Sequence, residues 1–225
     1  MRKRVRIWLL LTLLGLGLLV GVGVWIYQAA HQAPEWYRQA VATKDTAEER
    51  KASSDRMEQR LAELASGLKT NGRWEVLFTE AQVNGWLDYA LSKKHPGSLP
   101  KGFFDPRVKI ESDGVWGACC VDRGAVSGVV ALNVDIYLAE PNVVALRIRR
   151  ARLGRLPWPL GKVLDGISQS AREAEVPLTW RQAEGDPVAL IRIPSIQDKK
   201  RIRVKTIRLA EGKLYVAGVT KDAKP

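Results

Sequence analysis

Hydrophobic and polar positions divide the chain into three stretches of different rhythm. The first, Ile7 to Tyr27, is 21 residues without a charge, rich in leucine, glycine and valine. At about 1.5 Å per helical residue it spans about 30 Å, the thickness of a bilayer's hydrocarbon core. Trp8 stands at one end and Trp25 with Tyr27 at the other, where amphipathic rings favour the headgroup level. The pattern predicts a transmembrane helix. The second stretch, residues 28–72, is polar, with seven basic and seven acidic residues between positions 34 and 72. Thr46 and Glu49 have capping-box spacing, and Met57, Leu61, Leu64 and Leu68 recur on one side of a helix. This predicts a solvated helical stem whose apolar stripe packs on its own domain; three turns are short for a coiled coil with a second copy.

The third stretch, residues 73–225, mixes both periods. WEVLF (Trp74 to Phe78) reads as a strand. Thr79 and Gln82 cap a helix carrying Val83, Trp86, Leu87, Ala90 and Leu91 on one side. Alternation then begins: Val108 and Ile110 lead to an Asp113-Gly114 hairpin turn, and Val115 to Val121 returns. In the long strand that follows, Val126, Val130, Leu132, Val134, Ile136 and Leu138 share a face, while Ser127, Asn133, Asp135 and Tyr137 take the other. Glu140-Pro141-Asn142 turns the chain, and Val144, Leu146 and Ile148 continue the dry face. A second amphipathic helix carries Leu160, Val163, Leu164 and Ile167, and further strands turn at Gly185-Asp186-Pro187 and Glu211-Gly212. A phase change between Val204 and Ile207 predicts a bulge near Thr206. The expected fold class is α+β: a curled, mostly antiparallel sheet packed against two amphipathic helices, behind an N-terminal transmembrane helix and stem.

Charge orients this arrangement. The chain carries 36 Lys or Arg against 24 Asp or Glu, a formal +12. Arg2, Lys3, Arg4 and Arg6 precede the apolar stretch with no acid among them. The positive-inside rule therefore makes residues 1–6 a cytoplasmic tail, residues 7–27 a single pass through the cytoplasmic membrane, and the remainder exported. A cleaved secretory signal is the competing reading, since QAAHQA (Gln28 to Ala33) offers small residues, but the apolar run exceeds the usual signal core. Gly17 and Gly21 form a GxxxG through which two helices could dimerise.

Chemistry is sparse. His95 stands alone in a Lys-Lys-His-Pro-Gly loop, and no nucleophile elbow, HExxH, P-loop or GxGxxG is present. No metal site, cofactor or catalytic residue is expected. Glu80, Asp88, Glu111 and Asp135 have no spacing that singles out a catalytic pair. The adjacent Cys119 and Cys120 read as two small buried hydrophobes, a vicinal disulfide or an intermolecular bridge. Basic residues cluster twice: Arg147, Arg149, Arg150, Arg152 and Arg155, then Lys199, Lys200, Arg201, Arg203, Lys205 and Arg208. Such clusters serve as a solvated strand face, block sheet-edge pairing, or meet anionic lipid or an envelope polyanion. Nucleic acid suits the charge but not the topology.

FTEAQVNGWL (Phe78 to Leu87) opening a helix, then a meander, then the L-G-x-L-P-x-P turn (Leu153 to Pro159) opening a second helix, resembles the YpmS-like family of bacterial membrane-anchored proteins. More remotely the chain is similar to LmeA-type tubular lipid-binding modules, in which a curled sheet wraps a long helix. The likeness covers roughly residues 74–195, and a glycine inside the first helix departs from it. The resemblance implies lipid or amphiphile binding without catalysis, at the bacterial cell envelope. Val83, Trp86, Leu87, Val130, Leu132, Val134, Trp158, Leu160 and Leu164 are the expected lining, and Arg147, Arg149 and Arg150 the expected contacts to an anionic headgroup. The alternative is an envelope scaffold that docks a partner protein and has no cavity.

Overall fold

The computed structural model describes Trp25 and residues 27–42, 46–94, 99–124, 126–194, 196–197 and 199–223. No described helix is long and apolar enough to cross a membrane. The stretch expected to do so lies outside the described residues except for Trp25 and Tyr27, which are helical and exposed. Gly17, Gly21 and His95 also lie outside them.

Helix α1 (Glu35–Ala42) comes first. Capping boxes then open the next two helices. The Glu49 N–H donates to Thr46 Oγ1 (3.2 Å) while the Thr46 N–H donates to the Glu49 carboxylate (2.8 Å), starting α2 (Ala47–Lys69). Thr79 and Gln82 repeat the exchange at 3.3 and 3.0 Å to start α3 (Glu80–Tyr89), which runs into a π-helical turn at Ala90–Lys94. Each box satisfies two otherwise orphaned N–H groups.

The fold is α+β, with every pairing between described strands antiparallel. The strands are β1 (Gly72–Thr79), β2 (Phe103–Glu111), β3 (Gly114–Arg123), β4 (Val126–Glu140), β5 (Val143–Leu153), β6 (Leu156–Pro157), β7 (Leu178–Ala183), β8 (Asp186–Arg192), β9 (Ile196–Gln197), β10 (Lys200–Ala210) and β11 (Lys213–Asp222); α4 (Leu160–Glu173) lies between β6 and β7. They divide into two sheets, where the sequence pattern suggested one. The larger runs β2-β3-β4-β5-β8-β7 with β6 on β5, the smaller β1-β11-β10-β9. The bulge falls between Val204 and Thr206 of β10.

In the smaller sheet the first strand of the chain pairs with the last, Trp74 of β1 lying opposite Gly218 of β11. A Cβ on Gly218 would fall 2.3 Å from the Trp74 ring, so only glycine admits the indole. The indole N–H donates to Thr220 Oγ1 at 3.1 Å, satisfying both groups in a buried place. Leu64 and Leu68 of α2 pack on the cluster of Trp74, Ile202 and Val204. The predicted stripe on α2 thus packs on its own chain, except that Leu61 is exposed.

The glycine that departs from the family resemblance has a packing reason. A Cβ on Gly85 would lie 2.4 Å from Ser53 Cβ, so α2 and α3 approach through this position. Helix α3 lies along the outer edge of β2. The Asn84 amide donates to Val108 O (2.9 Å) and accepts from the Val108 N–H (2.8 Å), and Glu80 accepts from the Ile110 N–H (2.8 Å). Side chains thereby occupy an edge that would otherwise be open to a further strand.

Candidate functional site

Residues directly opposite one another in antiparallel strands point to the same face. In the larger sheet Cys119 faces with Val130, Val115 with Val134 and Ile148, and Leu132 with Ala151. The same face continues through Ile136, Leu146 and Ala189 to Trp180 of β7, and through Val144 and Ile191 to Leu178. This is the expected dry face. Its floor is closed at Ile148, Ala151 and Ala189, but its large side chains, Val130, Leu132, Val134, Ile136, Leu146 and Trp180, are only half-buried.

Helix α4 lies against the Trp180 side of this face. The Trp180 indole N–H donates to Ser168 Oγ at 2.8 Å, latching the helix to the sheet. Leu160, Val163, Leu164 and Ile167 form the apolar side of α4, and none of the helix's residues is buried. An amphipathic helix sealed onto a core would bury that stripe. Here floor and lid are both apolar and both half-buried, and the interval between them is the trough. Burial pushes the Cys119 thiol on its wall up to about 11, with the adjacent Cys120 adding to the rise, so at neutral pH Cys119 is an uncharged apolar group. Both cysteines are free.

The opposite face differs from expectation at one end. It carries Asn133, Asp135 and Tyr137 as predicted, but also Val129 and Ala131, which are buried with Ala118 beneath Tyr37 of α1. The Tyr37 hydroxyl donates to Asp105 O at 2.7 Å and lies 3.3 Å from Cys120 Sγ. Burial and the Cys120 contact hold that phenol well above its ordinary value. Helix α1 therefore forms part of the packed structure.

The expected site residues separate into three groups. Val130, Leu132 and Val134 line the trough floor, Leu160 and Leu164 its lid, and half-buried Trp158 the corner between them, its N–H donating to Ala151 O. Val83, Trp86 and Leu87 ride on α3 at the β2 edge, away from the α4 lid. Arg147 and Arg150 stand opposite Asp135 and Asn133, on the face that turns away from the trough, and Arg149 joins them there by its bond to Asp135. Arg147 is spent on Glu184 and Asp186 at 2.9 and 2.7 Å, which raise its pKa, and Arg149 holds Asp135 at 2.6 Å. Trough lining and this arginine cluster thus occupy opposite sides of the same strands.

Sequence reasoning missed Trp180 and Leu178, although the alternation of VPLTW carries the signal. It also missed Arg155 as distinct from its cluster. Arg155 lies with Leu156 in a pocket of about 110 Å³ whose other walls are Trp25, Gln28, Ala29 and Gln32. Its backbone N–H donates to Ala29 O at 2.9 Å.

Comparison with protein-family models, curated proteins and solved structures gives no match. The site has to be read from its own chemistry.

The four carboxylates considered above are each held by a structural partner: Glu80 by the Ile110 N–H, Asp88 by Arg50 and Arg107, Glu111 by Lys109 and the Trp116 indole, Asp135 by Arg149. The Lys109 ammonium, ahead of the Trp116 contact, holds the Glu111 carboxyl below its usual range. Among the described residues no group of three His, Cys, Asp or Glu is placed to hold a metal ion.

Proposed function

We propose that this chain is a membrane-anchored, extracytoplasmic module that binds a lipid or other amphiphile, without catalysis, in the trough between α4 and the larger sheet. The observation that carries the reading is the half-open apolar stripe of α4 facing half-open apolar strands. Each methylene moved from water into such a trough is worth about 0.8 kcal/mol, so a few carbons of acyl chain outweigh the ordering of α4's side chains. The tubular modules that the sequence resembles pair a curled sheet with a helix, and a YpmS-like anchor would fit the uncharged stretch 7–27.

The anchor's end supports the same reading. Ala30 O lies against Gly128, beside Leu153 at one end of the trough face, and the Trp25–Arg155 pocket adjoins it. An amphiphile drawn from the membrane would meet Arg155, rather than Arg147, Arg149 or Arg150, with its anionic headgroup.

The test is native mass spectrometry and organic extraction of the full chain purified in detergent. Co-purified lipid is expected, and Leu132→Trp, which fills the floor, should lose it while keeping the thermal melt. Recovery of no lipid at any yield, or equal recovery from the filled variant, overturns the proposal.

A further inference from the structure

The second basic cluster has a different surrounding from the first. Register places Arg201 of β10 opposite Lys221 of β11, and Arg203 opposite Val219, whose other neighbour is Arg73 of β1. With Lys205 at the bulge and Arg208 opposite Tyr215, six exposed cations stand on the smaller sheet, alternating with the buried Trp74, Ile202 and Val204. None of the six forms an ion pair with a described residue. The acid on this face, Glu75, already accepts the Tyr215 hydroxyl at 2.6 Å.

Edge protection explains only part of this charge: β1 is an outer strand and β9 covers β10 only at Lys200 and Arg201, but Lys221 stands on β11 between β1 and β10, and Arg201 is paired on both sides. Like charges directly across a strand pair, such as Arg201 and Lys221, lower stability instead of raising it. Of the first cluster's strand arginines, Arg147 and Arg149 are neutralised by acids.

We propose that the outer face of the smaller sheet binds a linear phosphate polymer of the envelope. Side chains two residues apart on β10 are about 7 Å apart, and Arg73 and Arg203 are separated by two strand spacings, about 10 Å. That is a flat grid of cations without a concavity to enclose a small anion. Four of the six are arginines, whose planar forks engage phosphate oxygens in pairs. The inference is independent of the trough and stands if the trough proves empty.

The experiment uses the full chain in zwitterionic nanodiscs with long-chain inorganic polyphosphate as probe, titrated over a range of salt. Arg201→Gln/Arg203→Gln/Lys221→Gln is compared with Lys69→Gln/Lys162→Gln/Arg172→Gln, which removes the same charge from helices. The sheet variant should weaken binding by at least about ten-fold and flatten the log–log salt slope by about 2, while the helix variant stays within about three-fold of wild type. Its melt should equal or exceed wild type, because a like-charge pair is relieved. Equal losses in both variants, no binding of polyphosphate at low salt, tighter binding to phosphatidylglycerol vesicles, or tighter binding of single-stranded DNA of matched phosphate number would each overturn the proposal.

Discussion

Asn142 shows how much one turn residue carries. It sits between β4 and β5 with φ +63°, a backbone conformation that asparagine tolerates better than most residues. Its amide donates to Ile202 O at 2.7 Å and accepts from the Val204 N–H at 2.7 Å, and its own carbonyl accepts from the Ile193 N–H at 2.8 Å. The side chain thus completes β10 beyond the end of β9, joining the two sheets with a pair of buried bonds. Asn142→Ala leaves one N–H and one C=O of β10 unpaired inside the protein, each costing about 1–3 kcal/mol. Urea denaturation should therefore show a loss of about 2–5 kcal/mol, and Asn142→Asp should recover only part of it, since a carboxylate accepts from Val204 but repels Ile202 O. An Asn142→Ala variant within 0.5 kcal/mol of wild type (about the scatter of neutral surface changes) would remove this residue from its role. A turn at Glu140-Pro141-Asn142 is legible in the sequence; its long-range task is not, because nothing local to Asn142 points to residues 60 positions away.

At the scale of elements, local chemistry and long-range pairing part company. The capping boxes at Thr46 and Thr79, the turns at Asp113-Gly114 and Glu211-Gly212, and the bulge beside Thr206 were all readable, because each is decided within a few residues. The pairing of β1 with β11 was not, since strand periodicity carries no partner identity, and the division into two sheets follows from that pairing. Burial of Val129 and Ala131 escaped for a related reason: α1 covers them, and its amphipathic signal is short. Helix α2 is the instructive case. Its polar composition reads as a solvated stem, yet Gly85 of α3 touches Ser53, and Leu68 reaches Trp74. Gly85→Ala should force the two helices apart. The expected cost is about 1–3 kcal/mol by overpacking, against a gain of up to about 1 kcal/mol in intrinsic helix propensity. A thermal melt that rises in this variant would show that α2 stands clear of α3. Deleting residues 43–60 should likewise lower the melt sharply instead of merely shortening a spacer.

For the whole molecule, the question is how the folded unit is joined to what precedes α1. Ala29 is buried, and its carbonyl together with that of Ala30 lies 2.3 Å from where a Cβ on Gly154 would stand. Tyr37 is locked eight residues later. If residues 7–27 span the membrane, the folded unit is clamped within a few residues of the bilayer, and the trough cannot wander from its lipid source. Two glycines test this, because they share a backbone conformation and differ in crowding. Gly154 has φ +58° and Gly124 φ +59°, but nothing lies within 4 Å of a Cβ on Gly124. Alanine at either position costs about 1 kcal/mol of left-handed strain. Only Gly154→Ala should also displace Ala29 and Ala30. Hydrogen exchange should then speed up through residues 29–37 in Gly154→Ala and stay at the wild-type rate in Gly124→Ala, with β10 and β11 protected alike in both. Under the proposed function, lipid recovery should fall in the Gly154 variant alone. Exchange that changes equally in the two variants would mean that residues 29–37 are not clamped by the β5–β6 turn, and the folded unit would then be free to reorient with respect to the chain before them.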